Sequence, residues 1–183
     1  MDQKNLMDRR SFLKIATVAS AASFFPSIIL GKTDVPYKKS LSLYNIHTGE
    51  NISTTYWADG SYIPEALSQM NHLLRDYRTN AATEMDTELF DLLYTIRSNL
   101  GTTKPFNVIS GYRSPQTNAM LNSHSLGVAK KSLHMQGKAM DISLPGRDLS
   151  ELRKIAMNLK QGGVGYYPSS DFVHVDVGRV RYW

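Results

Sequence analysis

Along residues 40–57, SLSLYNIHTGENISTTYW, apolar and polar positions alternate on both sides of His47-Thr48-Gly49-Glu50. A period of two belongs to a half-buried strand, and a glycine-containing break between two such runs predicts a β-hairpin. His47 falls in the turn, where it reads as a solvent-exposed residue. From Ile63 the period lengthens: Leu67, Met70, Leu73, Leu74 and Tyr77 recur at three and four residues, the apolar stripe of a helix with Pro64 in its first turn. His72 lies beside that stripe and reads as structural. A second helix is predicted from about Thr87 to Asn99, with Leu89, Phe90, Leu93, Ile96 and Leu100 inward, Asp86 placed to cap it and Gly101 to end it. PFNVIS (105–110) is a short buried strand, and Gly111-Tyr112-Arg113-Ser114-Pro115 is the loop leaving it. A short helix over 116–123 and a polar connection, HSLGVAKKS (124–132), follow. KAMDISL then alternates as a strand, DLSELRKIAMNLK as a helix, and GGVGYY and FVHVDVG as two closing strands. The expected fold is α+β: helices first, then an antiparallel sheet broken by one helix and flanked by the others. No internal repeat or low-complexity linker interrupts it.

The front of the chain belongs to a different pattern. Asp8-Arg9-Arg10-Ser11-Phe12-Leu13-Lys14 runs directly into the uncharged, mostly apolar stretch Ile15 to Leu30. That order is the signature of a twin-arginine export signal, read by the twin-arginine export machinery. The apolar run is shorter than the ~20 residues of a spanning helix, and Pro26 interrupts it. Residues 1–31 are therefore set aside as the signal and residues 32–183 taken as one domain, with a periplasmic location expected. No tidy Ala-x-Ala site marks a cleavage point, which leaves an uncleaved form tethered to the inner membrane by this segment alone as an alternative.

The 183 residues include no cysteine, so disulfides, thiolate metal sites and a cysteine nucleophile are all excluded, and any metal must be held by His, Asp or Glu. The formal net charge is +5; residues 1–31 hold four of the 21 basic and two of the 16 acidic side chains, leaving 17 against 14. A mild basic excess suits a polyanionic partner. Nucleic acid is not the expected one, because the chain is read as exported and shows no basic stripe interleaved with aromatics. An acidic polymer outside the cytoplasm, the bacterial cell wall included, fits better.

The chemistry centres on SLHMQGKAMDIS, residues 132–143. Gly137 lets the chain turn tightly, and Ala139 and Met140 then carry it into a strand that holds Asp141. A carboxylate set between Met140 and Ile142 needs a partner, since an unpaired buried charge is costly. A metal ion would satisfy it. His134 is the second candidate ligand, and His174 in the apolar strand FVHVDVG the third. Two imidazoles and one carboxylate leave a coordination position open for water, the arrangement of catalytic rather than structural zinc. Such a zinc lowers the pKa of its water to about 7, which points to hydrolysis.

Ser132-x-His134-x-x-Gly137-x-Ala139-x-Asp141, followed by a histidine in an apolar strand and preceded by Ser110-Gly111-Tyr112-Arg113, resembles the zinc peptidases of the D-alanyl-D-alanine carboxypeptidase and dipeptidase superfamily. That fold also includes lysostaphin-type and hedgehog domains. The export signal, the HTGE hairpin and the endings GGVGYYP and FVHVDVG extend the resemblance over about residues 38–183, toward the murein endopeptidases of the group. The resemblance implies that His134, Asp141 and His174 bind Zn2+ and that Arg113 stands near the metal, where it would bind the scissile carbonyl oxygen as charge develops. In relatives with an acidic residue three before the last histidine, that carboxylate activates the water; the position is Asp171 here. Asp176 competes, because residues i and i+2 of a strand share a face and Asp176 therefore points with His174. One of the two is expected as the base and the other as a partner orienting an imidazole. His124 reads either as a cleft residue or as a surface one, and Tyr166 and Tyr167 as packing residues, one of whose hydroxyls could reach substrate. The implied substrates are peptidoglycan stem peptides, cut at the cross-link between two meso-diaminopimelate residues. Carboxypeptidase or dipeptidase action on free ends and a noncatalytic wall-binding module are the alternatives.

Overall fold

The computed structural model describes residues 37–124 and 127–183. The export signal expected over residues 1–31 lies outside them. The chain begins with the expected hairpin: β1 (Lys38–Asn45) pairs antiparallel with β2 (Asn51–Ala58), and a short β3 (Ser61–Tyr62) folds back on β2. Two helices follow, α1 (Pro64–Leu73) and α2 (Thr87–Asn99). Asp86 caps α2, its side chain accepting a hydrogen bond from the backbone N–H of Glu88 at 3.0 Å. After β4 (Phe106–Ser110) and α3 (Pro115–His124), a single 3-10 turn, Leu133–Gln136, delivers the chain into β5 (Ala139–Ser143). Helix α4 (Leu149–Leu159), β6 (Gly163–Tyr167), β7 (Phe172–Asp176) and the short β8 (Arg181–Tyr182) complete the fold.

The strands form one eight-stranded sheet in the order β3-β2-β1-β4-β5-β7-β6-β8. This corrects one part of the sequence reading. The fold is α+β, but the sheet is mixed: β1 pairs parallel with β4 and β6 with β8, the other pairs being antiparallel. Parallel neighbours need a long crossover, and the stretch between β1 and β4 supplies one, since it contains β2, β3 and both α1 and α2. The hairpin is thus an extension of the same sheet.

Alternation assigns the two faces. In β5 and β7, Met140, Ile142, Val173 and Val175 join the core with Leu41, Leu43, Phe106, Phe90, Leu93 and Ile96, all almost completely buried beneath the helices. The intervening residues Asp141, His174 and Asp176 point to the opposite face. They are buried too, so this face must be covered by polar structure of its own.

Candidate metal centre

Asp141 and His174 are direct cross-strand partners in the antiparallel pairing of β5 with β7. Their side chains therefore stand side by side on one face. His174 also pairs with Gly165 of β6, and Asp141 with Ser110 at the end of β4. His134 arrives from outside the sheet on the 3-10 turn. Ser132 starts that turn by accepting the N–H of His134 at 3.3 Å, and Gly137 ends it in the left-handed region at φ 67°. A Cβ at Gly137 would meet the carbonyl oxygen of Glu84 at 2.5 Å, which explains the glycine between the two ligand candidates.

Three ligand atoms converge. His134 Nε2 lies 3.2 Å from His174 Nδ1 and 3.2 Å from Asp141 Oδ1, and His174 Nδ1 lies 2.8 Å from the same oxygen. The far nitrogen of each ring has its own partner: His134 Nδ1 meets the carbonyl of Gly111 at 2.8 Å, and His174 Nε2 meets Asp176 Oδ2 at 3.0 Å. A carbonyl and an ionised carboxylate only accept, so each outer nitrogen carries the proton and donates it. The inner nitrogens are then left as lone pairs, aimed at each other and at a carboxylate oxygen. Three acceptors facing one point repel unless a cation lies among them, and imidazole with carboxylate is a donor set suited to a divalent metal. The residues fit a metal.

The electrostatics agree with that fit. Burial works to raise the pKa of Asp141, but the charges and hydrogen bonds of His134 and His174 outweigh it and hold the carboxyl well below its ordinary range. Burial likewise disfavours a charged His174, yet Asp141 and Asp176 on either side of the ring raise its pKa overall.

Arg113 closes one side, with Nη2 3.7 Å from Asp141 Oδ2 and somewhat shorter contacts from Nη1 to Asn118 Oδ1 at 3.4 Å and from Nη2 to Ser110 Oγ at 3.5 Å. Burial, aided by the nearby Arg78, presses its pKa below the usual guanidinium value while Asp141 opposes the shift. The site opens into a cleft of about 320 Å³ whose walls include Arg113, Lys131, Tyr167, Phe172 and Trp183.

The two acidic candidates for the base are placed very differently. Asp176 is fully buried and its oxygens are spent: Oδ2 takes His174 Nε2 and Arg181 Nη2, and Oδ1 takes the N–H groups of Gly163 and Gly178. It shares the face of His174 and meets the outer edge of the ring. Asp171 is exposed, with φ 53°, at the end of the turn Pro168–Ser170; its neighbours Ser170 and Phe172 line the cleft and it does not. His124 is exposed at the end of α3, with Nδ1 2.7 Å from the carbonyl of Met120. Of the tyrosines, Tyr167 lines the cleft and Tyr166 lies beneath the guanidinium of Arg153.

Two participants have no local signal in the sequence. Trp183 lies tilted against His174, ring centroids 5.3 Å apart, and donates its Nε1–H to the Tyr167 hydroxyl at 2.7 Å. It rests on Gly165, where a Cβ would come within 2.7 Å of the indole. Asp76, buried between α1 and α2, accepts the N–H of Ser114 at 2.9 Å and is bonded to its hydroxyl at 2.6 Å, thereby holding the loop that bears Arg113.

A mixed sheet that presents an imidazole and a carboxylate, joined by a second imidazole from the 3-10 turn and a guanidinium from the loop after β4, all at one open cleft, defines a metal-dependent hydrolase. Comparison with known proteins narrows this: residues 34–183 match the family described as peptidoglycan L,D-endopeptidase MepK, and the chain belongs to that family, within the M15 peptidases. It is 46% identical over 176 residues to the peptidoglycan L,D-endopeptidase MepK of Escherichia coli (strain K12), covering 96% of this chain and 97% of the relative. The corresponding protein of Shigella flexneri matches equally, and the probable peptidoglycan L,D-endopeptidase MepK of Haemophilus influenzae is 41% identical over 177 residues, covering 96% of this chain and 95% of the relative. The protein is a peptidase, a hydrolase of the metallopeptidase kind.

Proposed function

We propose that the protein is a zinc-dependent peptidoglycan endopeptidase that acts in the periplasm on cross-links between meso-diaminopimelate residues. The observation that carries the metal part is the convergence of His134 Nε2, His174 Nδ1 and Asp141 Oδ1, with both outer imidazole nitrogens already committed as donors. The substrate part is supported by the relatives, which are named as L,D-endopeptidases of peptidoglycan. A diaminopimelate–diaminopimelate cross-link joins the carboxyl of an L centre to the amine of a D centre, so it is an L,D bond in that sense. Export by the twin-arginine route, from the signal at residues 1–31, would put the domain at residues 32–183 beside its substrate; no helix among the described residues is long and apolar enough to cross a membrane.

In this reading His134, Asp141 and His174 hold the zinc, which when bound supplies an activated water and a polarised carbonyl at neutral pH. Asp176 fixes the ring of His174 so that Nδ1 faces the metal, and the Gly111 carbonyl does the same for Nε2 of His134. Arg113 donates to the scissile carbonyl oxygen as it gains negative charge, in a buried setting where such a hydrogen bond is worth more than in water. Tyr167 and Trp183 wall the cleft on the side of His174 and hold the stem peptide against it.

The test is to incubate the purified protein with sacculi, with and without a chelator, and to read the released muropeptides by mass spectrometry. Diaminopimelate–diaminopimelate dimers should disappear, chelator should stop the loss, and zinc should restore it. His134→Ala, Asp141→Ala and His174→Ala should each lose bound zinc and activity together. Sacculi bound without new fragments would support a wall-binding module instead, and turnover of free dipeptides with intact sacculi untouched would support a dipeptidase.

A further inference from the structure

Asp76 is a buried carboxylate, 2% exposed, that belongs to none of the groups facing the cleft. It sits in the connection between α1 and α2, a stretch with no chemistry of its own. Its contacts lead to the site. Oδ2 takes the backbone N–H of Ser114 at 2.9 Å and its hydroxyl at 2.6 Å, and Oδ1 takes the N–H of Arg78 at 3.0 Å. Two residues earlier, the carbonyl of Leu74 accepts the N–H of Tyr112 at 2.7 Å, and Gly111 is pressed so close to the same carbonyl that a Cβ there would lie 2.5 Å from it. Residues 74–76 thus grip the loop 111–114 at both ends.

That loop does two things for the metal centre. The Gly111 carbonyl takes the Nδ1 proton of His134, which turns Nε2 toward the metal position. Arg113 lies between the two gripped ends, and its own N–H is bonded to the carbonyl of His134 at 3.2 Å. A carboxylate can accept from both Ser114 and Arg78 at once, whereas an amide of the same shape offers one oxygen and turns donors toward whatever faces its nitrogen. From this geometry we infer that Asp76 is a positioning residue of the peptidase site, setting the loop that aims Arg113 at the reacting carbonyl and holds His134 in its ligand tautomer. The inference rests on the proposed roles of Arg113 and His134, and it assigns Asp76 no contact with substrate.

Asp76→Asn is the direct test, with Asp91→Asn as the control. Asp91 is also a part-buried carboxylate, bonded to the hydroxyls of Tyr56 and Tyr62 at 2.9 and 3.0 Å, but it ties α2 to β2 and β3 at the opposite end of the sheet. In zinc-loaded protein, Asp76→Asn should lower kcat on cross-linked muropeptides at least tenfold with KM within threefold and zinc content unchanged, while Asp91→Asn keeps kcat within twofold. A readout independent of substrate accompanies it: nitrogen-15 spectra of the histidine rings should show the His134 Nδ1 proton protected from exchange in the wild-type protein and in Asp91→Asn, and exposed in Asp76→Asn. If Asp76→Asn does not fold, Ser114→Ala, which removes only the hydroxyl part of the grip, should show the same two effects at smaller size. Asp76→Asn, or Ser114→Ala in its place, behaving like Asp91→Asn in both readouts would overturn the inference. Failure of the wild-type protein to cut any cross-linked muropeptide would count against the proposed substrate, and the ring spectra would still decide the role of Asp76.

Discussion

Asp141 holds the centre together because one small side chain answers three neighbours: His134 and His174 meet its Oδ1, and Arg113 approaches its Oδ2. Asp76 makes a separate prediction at the same scale. Burial pushes its pKa up, but hydrogen bonds from Ser114, Thr117 and Arg78 overcome this and hold it at about 2. An unfolded aspartate titrates near 3.9, so the folded state binds its proton less readily, and the resulting stability is complete above about pH 4 and lost as the pH falls toward 2. The shift corresponds to about 2 kcal/mol. Asp76→Asn should therefore be about 2 kcal/mol less stable than wild type at pH 7 in urea unfolding, with the gap narrowing below pH 4. A gap independent of pH would show that the charge of Asp76 contributes nothing.

At the scale of elements, the three candidate ligands are placed by two devices. The antiparallel register of β5 and β7 puts Asp141 opposite His174, and a slip of one residue in either strand would turn its member of the pair into the helix-covered core. The 3-10 turn Leu133–Gln136 brings His134 over them, and that turn depends on Gly137. Its left-handed backbone costs a residue with a Cβ roughly 1–2 kcal/mol, before the contact with the Glu84 carbonyl is counted. Gly137→Ala should lower the thermal midpoint and weaken zinc binding together. Titration with a zinc indicator alongside thermal unfolding checks this, and unchanged zinc affinity would mean that His134 does not depend on the turn.

For the molecule as a whole, the sheet divides the labour: the helices bury the apolar side of β5 and β7, and the opposite side is given to charge. The reacting group in the proposed mechanism is water, not a serine hydroxyl. Ser132 is spent on capping the turn of His134. β-Lactams act by acylating a serine, so benzylpenicillin should neither slow the release of muropeptides nor add mass to the protein. A stable covalent adduct by intact-protein mass spectrometry would sink that expectation.

The α+β class, the hairpin, the helices at Pro64 and Thr87, the strands around Asp141 and His174, and the grouping of His134, Asp141 and His174 as residues that could hold a metal were all legible in the chain. Each depends on a local period or on a short spacing. Alternation places Met140 and Ile142 on one face and Asp141 on the other whatever the rest of the protein does. Three matters were decided only in three dimensions. The parallel pairing of β1 with β4 depends on where a long crossover returns, which hydrophobic period does not encode. The different surroundings of Asp171 and Asp176 also lay beyond the sequence, because alternation gives a face but not the partner waiting there, and for Asp176 that partner is the outer nitrogen of His174 together with Arg181. The entry of Asp76 and Trp183 into the site also depends on tertiary packing: Asp76 meets Ser114 38 positions further on, and the indole of Trp183 is brought back over His174, neither of which a local period encodes.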